Sequence, residues 1–379
     1  MKITVAIDSF KGSLSTFQAS SAIAAGIKKV YKDAEVFTCP IADGGEGTVE
    51  AIISANNGEM VTIPVHNPLD KIINASYGII PQRKTAVIEM SAAAGITLVS
   101  KDELNPLNAT TYGVGELIAD AIERGCRKFI IGIGGSATND GGVGMLQALG
   151  FKFTDKNGKD ICRSAKGLED LAEISSENAL AELSQCEFCV ACDVKNPLCG
   201  KDGCSSIYGP QKGATPDMIK SMDKWLENYA KLTKDVIPQS DCNFPGTGAA
   251  GGMGFALMAY LGAKLTSGIE LVMRETGLEE YIKKSDMVIT GEGRLDGQTS
   301  MGKVPVGVAG IAKKYKLPVV AFAGCVTSDA TECNNNGIDA FFPILKAPCS
   351  LTEAMDMENA YQNLKDMTVQ VFNLIKSIG

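Results

Sequence analysis

The sequence predicts an α/β protein with two α/β domains, one of them formed by the N- and C-terminal segments together. Three observations indicate this class. Apolar strand-like runs alternate with helical stretches at the start of the chain, short strands follow one another closely after residue 60, and the alternation resumes beyond residue 111. Such alternation is typical of a mostly parallel sheet covered by helices.

The elements follow from the length and spacing of the apolar runs. The predicted strands, in chain order, are 3–7, 35–41, 60–66, 73–80, 85–90, 128–135, 186–194, 286–293, 318–324 and 340–345. The predicted helices are 14–30, 47–56, 113–125, a helix opening near Asp140, 304–315 and 351–376.

The two ends of the chain share the same alternating pattern, which suggests how the domains are built. We predict a discontinuous α/β domain formed by residues 1–63 plus 285–379, with residues 64–284 as an inserted α/β domain. Two consecutive domains would be a simpler arrangement, and the sequence leaves it open.

Composition excludes several classes of protein. The 379 residues carry a formal net charge of -8 and no basic run, which argues against a nucleic-acid or anionic-membrane partner. The first residues lack a secretory apolar region, and no stretch approaches a membrane span, so we predict a cytoplasmic protein.

The 12 cysteines of this long chain are interpreted as reduced thiols. The motif Cys186-x₂-Cys189-x₂-Cys192 lies in a predicted strand, where side chains three apart face opposite ways, so a metal site is not expected there.

Four loops share one form, in which an apolar strand runs into small and acidic residues: 5–13, 40–48, 131–142 and 288–303. Ligands bind outside the carboxyl ends of parallel strands, so these four loops would lie at one binding site if their sheets are adjacent. Glycines allow close approach to an anion, and a following helix N-terminus favours phosphate. The loop at 131–142 has neither the Walker A spacing nor the strict G-x-G-x-x-G spacing. A glycine-rich packing turn remains the alternative reading.

Side-chain chemistry gives these loops candidate roles. Carboxylates suit Mg²⁺, whereas arginine and lysine suit a carboxylate or transferring phosphoryl oxygens. We therefore predict Asp43 and Asp296 as metal ligands, and Lys11 and Arg294 as catalytic cations. Asp193 lies at the end of a strand that is predicted to be buried. It is the candidate base that accepts the proton of a substrate hydroxyl.

The remaining candidates are predicted to bind substrate or nucleotide. They are Asp8, Ser9, Gly44, Gly45, Gly134, Gly135, Ser136, Asn139, Asp140, Gln211, Lys212, Glu292, Gln298, Thr299 and Lys303. Many of these residue types also serve as caps or turn residues, and that alternative stays open for each.

Six segments together resemble the bacterial glycerate kinase family, of the type that makes 2-phosphoglycerate: DSFKGSLS (8–15), ADGGEGT (42–48), GIGGSATNDGG (132–142), VACDVKNPLCG (190–200), FPGTGAAGGMGFAL (244–257) and VITGEGRLDGQTSMGKVP (288–305). The matches keep their order and span nearly the whole chain. The resemblance implies transfer of the γ-phosphoryl group of ATP to a hydroxyl of D-glycerate, assisted by Mg²⁺. It also implies a fold of two α/β domains, in which the inserted domain, residues 64–284, is flavodoxin- or Rossmann-like and the other is assembled from both ends of the chain. We predict that the reaction takes place in an interdomain cleft and that the protein is a monomer or homodimer.

Two other functions remain open from the residues alone. A glycine loop after a strand also suits an NAD(P)-dependent oxidoreductase of a small hydroxy acid. A non-enzymatic sensor of small acids is the second alternative, although it gives no purpose to the mixed charges of the 288–303 loop.

Overall fold

The computed structural model describes residues 1–378, and within that range the chain forms 13 strands. They are β1 (Lys2–Val5), β2 (Glu35–Thr38), β3 (Glu59–His66), β4 (Ile72–Ile80), β5 (Thr85–Glu89), β6 (Lys128–Gly132), β7 (Lys152–Thr154), β8 (Glu173–Ser175), β9 (Glu187–Ala191), β10 (Lys264–Thr266), β11 (Met287–Leu295), β12 (Val319–Val326) and β13 (Ala340–Pro343).

The same residues form 14 α-helices, several of them a single turn. They are α1 (Thr16–Val30), α2 (Thr48–Ala55), α3 (Ser91–Ala94), α4 (Tyr112–Glu123), α5 (Val143–Ala148), α6 (Cys204–Tyr208), α7 (Pro216–Val236), α8 (Ala249–Leu261), α9 (Gly268–Glu275), α10 (Leu278–Ile282), α11 (Val304–Lys314), α12 (Glu332–Asn335), α13 (Leu351–Met355) and α14 (Met357–Ile378). None of these helices is both long and apolar enough to cross a membrane.

The chain divides into two compact units. The first unit comprises Met1–Asp43, Glu50–Asn56 and the C-terminal part from Ile269, and the second comprises Gly44–Val49 and Asn57–Gly268. Each unit has its own sheet and helices, which confirms the predicted α/β class. Helices α9 and α10, which the predicted boundary at residue 284 assigns to the inserted segment, belong to the first unit.

The first unit is built on a five-stranded parallel sheet of order β13-β12-β11-β1-β2. Counted within this unit, the order is 2-1-3-4-5, which is the flavodoxin order. The flavodoxin arrangement therefore belongs to the unit formed from both ends of the chain, not to the inserted segment to which the sequence assigned it. Apolar residues of β1 and β11 pack with the paired helices α1 and α14 in one core.

The second unit has a six-stranded mixed sheet of order β10-β9-β6-β5-β4-β3. Strands β5, β6, β9 and β10 are parallel, whereas β3 and β4 pair antiparallel at one edge. This antiparallel edge is why the unit departs from the flavodoxin pattern. The strands predicted after residue 60 are closely spaced, and neighbours joined by short turns can pair antiparallel.

Two predicted helices differ in detail. The helix expected near Asp140 begins at Val143, because Gly141 and Gly142 take positive φ values and form a turn first. The long helix expected over 351–376 is interrupted at Asp356, whose extended ψ of 129° separates α13 from α14.

Candidate active site

Three acidic loops of the first unit come from neighbouring strands. Asp8 follows β1, Asp43 follows β2, and Glu292 lies near the end of β11. The backbone N–H of Asp8 donates to the carbonyl of Gly291 at 3.0 Å, which ties the first loop to the third. The strand order reverses between β1 and β11, the position at which open α/β sheets bind ligands.

Asp8 is the most perturbed carboxyl of this group. It is 4% exposed, and one carboxylate oxygen accepts from the backbone N–H of Ser9 at 2.7 Å. Burial and the nearby carboxylates of Asp43 and Glu292 raise its pKa to about 7, although Ser9 and Lys11 oppose that shift. A carboxyl that titrates near neutrality at a strand end is typical of functional sites, although structural networks produce it too.

Lys11 is the cation beside these carboxylates. Its ammonium donates to Asp43 Oδ2 at 3.2 Å. Burial opposes its charge, but the carboxylates of Asp43, Asp8 and Glu292 outweigh burial and raise the pKa of Lys11. Three carboxylates lie beside Lys11, and Lys303 acts on Glu292 as well, so formal negative charge remains in excess and favours a further cation at this edge of the sheet.

The loop after β11 is cross-linked by its own side chains. The Thr299 hydroxyl donates to Glu292, whose pKa is raised mainly by burial. Asp296 accepts from the backbone N–H groups of Gln298 at 3.0 Å and Thr299 at 3.2 Å. The Gln298 side chain is exposed.

Two cations also face Asp296. Arg294 Nε lies 3.4 Å and Lys303 Nζ 4.0 Å from its carboxylate oxygens. Asp296 therefore has backbone donors and two cations as partners, whereas Asp43 stands beside Asp8 and Lys11.

The glycine loop at 134–140 belongs to the second unit. Gly134 and Gly135 are exposed, but Asn139 and Asp140 are fully buried. The Asp140 carboxylate accepts from the backbone N–H and the hydroxyl of Thr111, both at 2.8 Å, and from backbone N–H groups at the start of α5. Asp140 thus holds the loop and helix together in this structure, and its carboxylate is not presented to a ligand.

Lys212 lies beneath this loop, on the short 3₁₀ turn Pro210–Lys212. It is 1% exposed, and its ammonium donates to Ser136 Oγ at 2.8 Å and to the Thr138 carbonyl at 2.6 Å. Burial lowers its pKa to about 8. The neighbouring Gln211 is exposed.

Asp193 and Gly44 lie near the end of β9. Asp193 is exposed, and its Oδ1 accepts from the backbone N–H of Gly268 at 3.0 Å. Gly44 has φ +89°, and a Cβ there would lie 2.7 Å from the Gly268 Cα and 2.9 Å from the Ala191 Cβ. Gly45 approaches the other glycine loop, since a Cβ on Gly134 would lie 3.5 Å from its Cα.

The structure thus groups the predicted residues in two sets. In the first unit, one set contains Asp8, Ser9, Lys11, Asp43, Glu292, Arg294, Asp296, Gln298, Thr299 and Lys303. In the second unit, Gly44, Gly45, Gly134, Gly135, Ser136, Lys212 and Asp193 lie at or beneath the loops that follow β6 and β9.

One acidic residue at a strand end escaped the sequence analysis. Glu89 ends β5, and its Oε1 accepts from the backbone N–H of Val49 at 2.9 Å, in the first turn of α2. The signal was available, since TAVIEM also runs from an apolar strand into a carboxylate. Glu89 was missed because no glycines follow it directly, unlike the acidic residues of the four loops identified from the sequence.

Metal-binding clusters were sought in the same part of the chain. No group of three or more histidine, cysteine, aspartate or glutamate side chains in residues 1–378 could hold a metal ion. The sulfurs of Cys186, Cys189 and Cys192 have separate partners, respectively the Glu182 carbonyl, the Thr266 hydroxyl and the Val194 carbonyl.

Comparison with known proteins decides the family. The family model described as "Glycerate kinase family" matches residues 3–376. The chain belongs to the glycerate kinase family. The resemblance seen in the six sequence segments is therefore confirmed, and the enzyme class is that of a phosphotransferase with an alcohol group as acceptor.

Relatives in the glycerate kinase family match along almost their full length. Glycerate 2-kinase of Escherichia coli K12 is 49% identical over 96% of this chain and 95% of the relative. Glycerate kinase of Halalkalibacterium halodurans is 44% identical over 96% and 97%. A crystal structure assigned to glycerate kinase 2 of Salmonella typhimurium LT2 has a TM-score of 0.91 and 46% identity, and the match covers 100% of this chain and 98% of that one.

Proposed function

We propose that this enzyme transfers the γ-phosphoryl group of ATP to the 2-hydroxyl of D-glycerate, giving 2-phosphoglycerate and ADP with the assistance of Mg²⁺. Phosphorylation of glycerate is the activity of the family. The choice of the 2-position is supported by the Escherichia coli relative, which is named glycerate 2-kinase. A reaction that consumes ATP also agrees with the predicted cytoplasmic location.

The observation that supports the proposal is the cluster of three carboxylates in the first unit. Asp8, Asp43 and Glu292 surround the point where the strand order reverses, and Lys11 donates a hydrogen bond to Asp43. Phosphoryl transfer requires mainly positioning and charge neutralisation rather than covalent help from the protein. Carboxylates with excess negative charge beside a lysine supply both parts of such a site.

The donor set fits Mg²⁺ that arrives with a nucleotide. Mg²⁺ prefers oxygen ligands, usually keeps several waters, and is commonly held by one or two carboxylates plus substrate phosphates. Asp43, with Asp8 beside it, would hold the ion, and the chemistry that Mg²⁺ supplies in such sites is neutralisation of charge on phosphoryl oxygens.

The chain's own residues have these proposed roles. Lys11 and Arg294 hold anionic oxygens of the substrates, and Lys303 supports them. Asp193 is the proposed base, because it is exposed and one of its oxygens is already oriented by Gly268. In the reaction the 2-hydroxyl oxygen bonds to the γ-phosphorus, the bond from that phosphorus to ADP breaks, and the hydroxyl proton passes to Asp193.

A coupled ADP-release assay across small hydroxy acids tests the proposal directly. We expect ADP release with D-glycerate and Mg²⁺, and much slower release with L-glycerate, glycolate or lactate. Phosphorus and proton NMR of the product then assign the phosphorylated carbon. A 3-phosphoglycerate product would overturn the proposed position, and an absence of ADP release would overturn the proposed reaction.

A further inference from the structure

The amino group of Lys212 is buried, and among residues 1–378 no carboxylate lies within ion-pair distance of it. The buried carboxylate of Asp140 favours its charge from farther away. An isolated buried ammonium is strongly unfavourable, so such groups are rarely kept without a task. The backbone holds Lys212 in place, because the following Gly213 has φ +91° and lies close to the Leu104 carbonyl.

The hydrogen bonds of Lys212 fix the direction of the Ser136 hydroxyl. An ammonium has three donors and no acceptor, so Ser136 Oγ must accept from Lys212 Nζ at 2.8 Å. The Ser136 proton therefore points away from Lys212. No acceptor for that proton is found among residues 1–378, and Ser136 is 8% exposed beside the exposed Gly134 and Gly135.

The loop is held rigidly in this conformation from below. Gly141 N donates to the Gly251 carbonyl at 2.9 Å, and a Cβ on Gly251 would lie 2.1 Å from the Thr138 carbonyl. Ala250 and the two glycines after it all take left-handed conformations, which is uncommon for alanine. Two buried atoms of the loop, Thr138 Oγ1 and Asn139 Oδ1, have no hydrogen-bond partner within residues 1–378. The loop thus keeps its shape despite unpaired groups, a pattern found at functional sites.

We propose that Lys212 is a positioning residue that directs the Ser136 proton to an anionic oxygen bound on the glycine loop at 134–136. The ligand class is a phosphate or a carboxylate, since both accept hydrogen bonds strongly and both are favoured by the nearby ammonium. Within the proposed function, the phosphate of ATP and the carboxylate of D-glycerate are the two sources. The sequence analysis predicted that both Ser136 and Lys212 contact a ligand, whereas this proposal gives the contact to Ser136 and a positioning role to Lys212.

Steady-state kinetics of Ser136→Ala, Lys212→Met and the double variant distinguish the two sources. We expect Ser136→Ala to raise KM by about 10- to 100-fold for one substrate and to leave the other nearly unchanged, as for a hydrogen bond to a charged group. A rise for ATP identifies phosphate, and a rise for D-glycerate identifies carboxylate.

Lys212→Met should raise KM for the same substrate, and the double variant should be no worse than Lys212→Met, because both changes remove one interaction. The exposed Lys201→Met is the matched control and should behave as the wild type. Additive effects in the double variant, or KM values that stay unchanged for both substrates in Ser136→Ala, would overturn the proposal.

Calorimetric binding separates this proposal from the proposed reaction. Titration of the wild type and Ser136→Ala with a non-hydrolysable ATP analogue and with D-glycerate requires no turnover. Weaker binding of one of them to Ser136→Ala supports the anion site even if the wild type releases no ADP. Equal binding of both compounds by the two proteins would refute it. Since Ser136→Ala removes only one oxygen from a loop residue, the test does not depend on whether Lys212→Met folds.

Discussion

Replacement of Asp8 by asparagine should stabilise the ligand-free protein, and more so as the pH rises. Burial and neighbouring carboxylates raise the pKa of Asp8 from 3.8 to about 7. The folded state therefore holds a proton that the unfolded chain has released between these two values. Stability consequently falls as the pH rises through this window, and the loss is complete above about pH 7.

The size of the effect follows from the two pKa values. At about 1.4 kcal/mol per pH unit, the difference between 3.8 and about 7 corresponds to at most about 4 kcal/mol of destabilisation by ionised Asp8. Near pH 5.5 about 2 kcal/mol of this remains, and almost none remains below about pH 4. Asparagine keeps the volume and the acceptor for Ser9 N–H without the charge. We therefore expect Asp8→Asn to gain at most about 4 kcal/mol near pH 8 and about half as much near pH 5.5.

Urea unfolding over this pH range measures the gain. Far-ultraviolet circular dichroism follows both units, whereas the fluorescence of the single tryptophan, Trp225 on α7, follows the second unit. The gain should appear in the dichroism transition and not in the fluorescence transition if the units unfold separately.

Asp33→Asn is the matched control, because Asp33 is exposed and has no hydrogen bond or ion pair among the described residues. It should leave stability unchanged at every pH. A difference between Asp8→Asn and the wild type that does not vary with pH would refute the account of Asp8.

Three further outcomes are expected. Asp193→Asn should abolish ADP release while circular dichroism stays native, since it removes the proposed base but not its volume; a rate near that of the wild type would exclude the base assignment. Asp43→Asn should raise the Mg²⁺ concentration for half-maximal activity by about tenfold or more, and an unchanged metal titration would argue against its role as a ligand. Gly44→Ala and Gly47→Ala share a φ of +89°, but a Cβ meets nothing within 4 Å at Gly47. Thermal unfolding should show a loss of about 1 kcal/mol for Gly47→Ala and clearly more for Gly44→Ala, and equal losses would contradict the close packing around Gly44.

Local pattern was enough to predict the fold class and most elements. The runs at 128–135 and 318–324 give strands because apolar β-formers occur there between turn residues. Helix α1 begins where Ser15 and Gln18 form a capping box, a signal that lies within four residues. The break at Asp356 was missed because both flanking segments are good helix formers, and no proline or glycine marks the boundary.

The order of strands in each sheet could not be predicted from local sequence pattern. The flavodoxin order depends on which strands pair across more than 200 residues of intervening chain, as β1 does with β11. Pairing is decided by packing of whole faces and not by the residues of either strand alone. The sequence therefore indicated which segments are strands, but not that the flavodoxin order belongs to the two ends.

The predicted site likewise combines features that local sequence determines with features that only folding determines. Sequence by itself determined the family, the strand-end loops and the residue types that suit phosphate and metal, since these depend on neighbours along the chain. Only the tertiary structure decided that Asp140 is a buried structural acceptor, that Asp296 is held by its own loop, and that Lys212 lies beneath Ser136. Burial, hydrogen-bond direction and the distances between charges depend on residues far apart in sequence, so they arise only when the chain has folded.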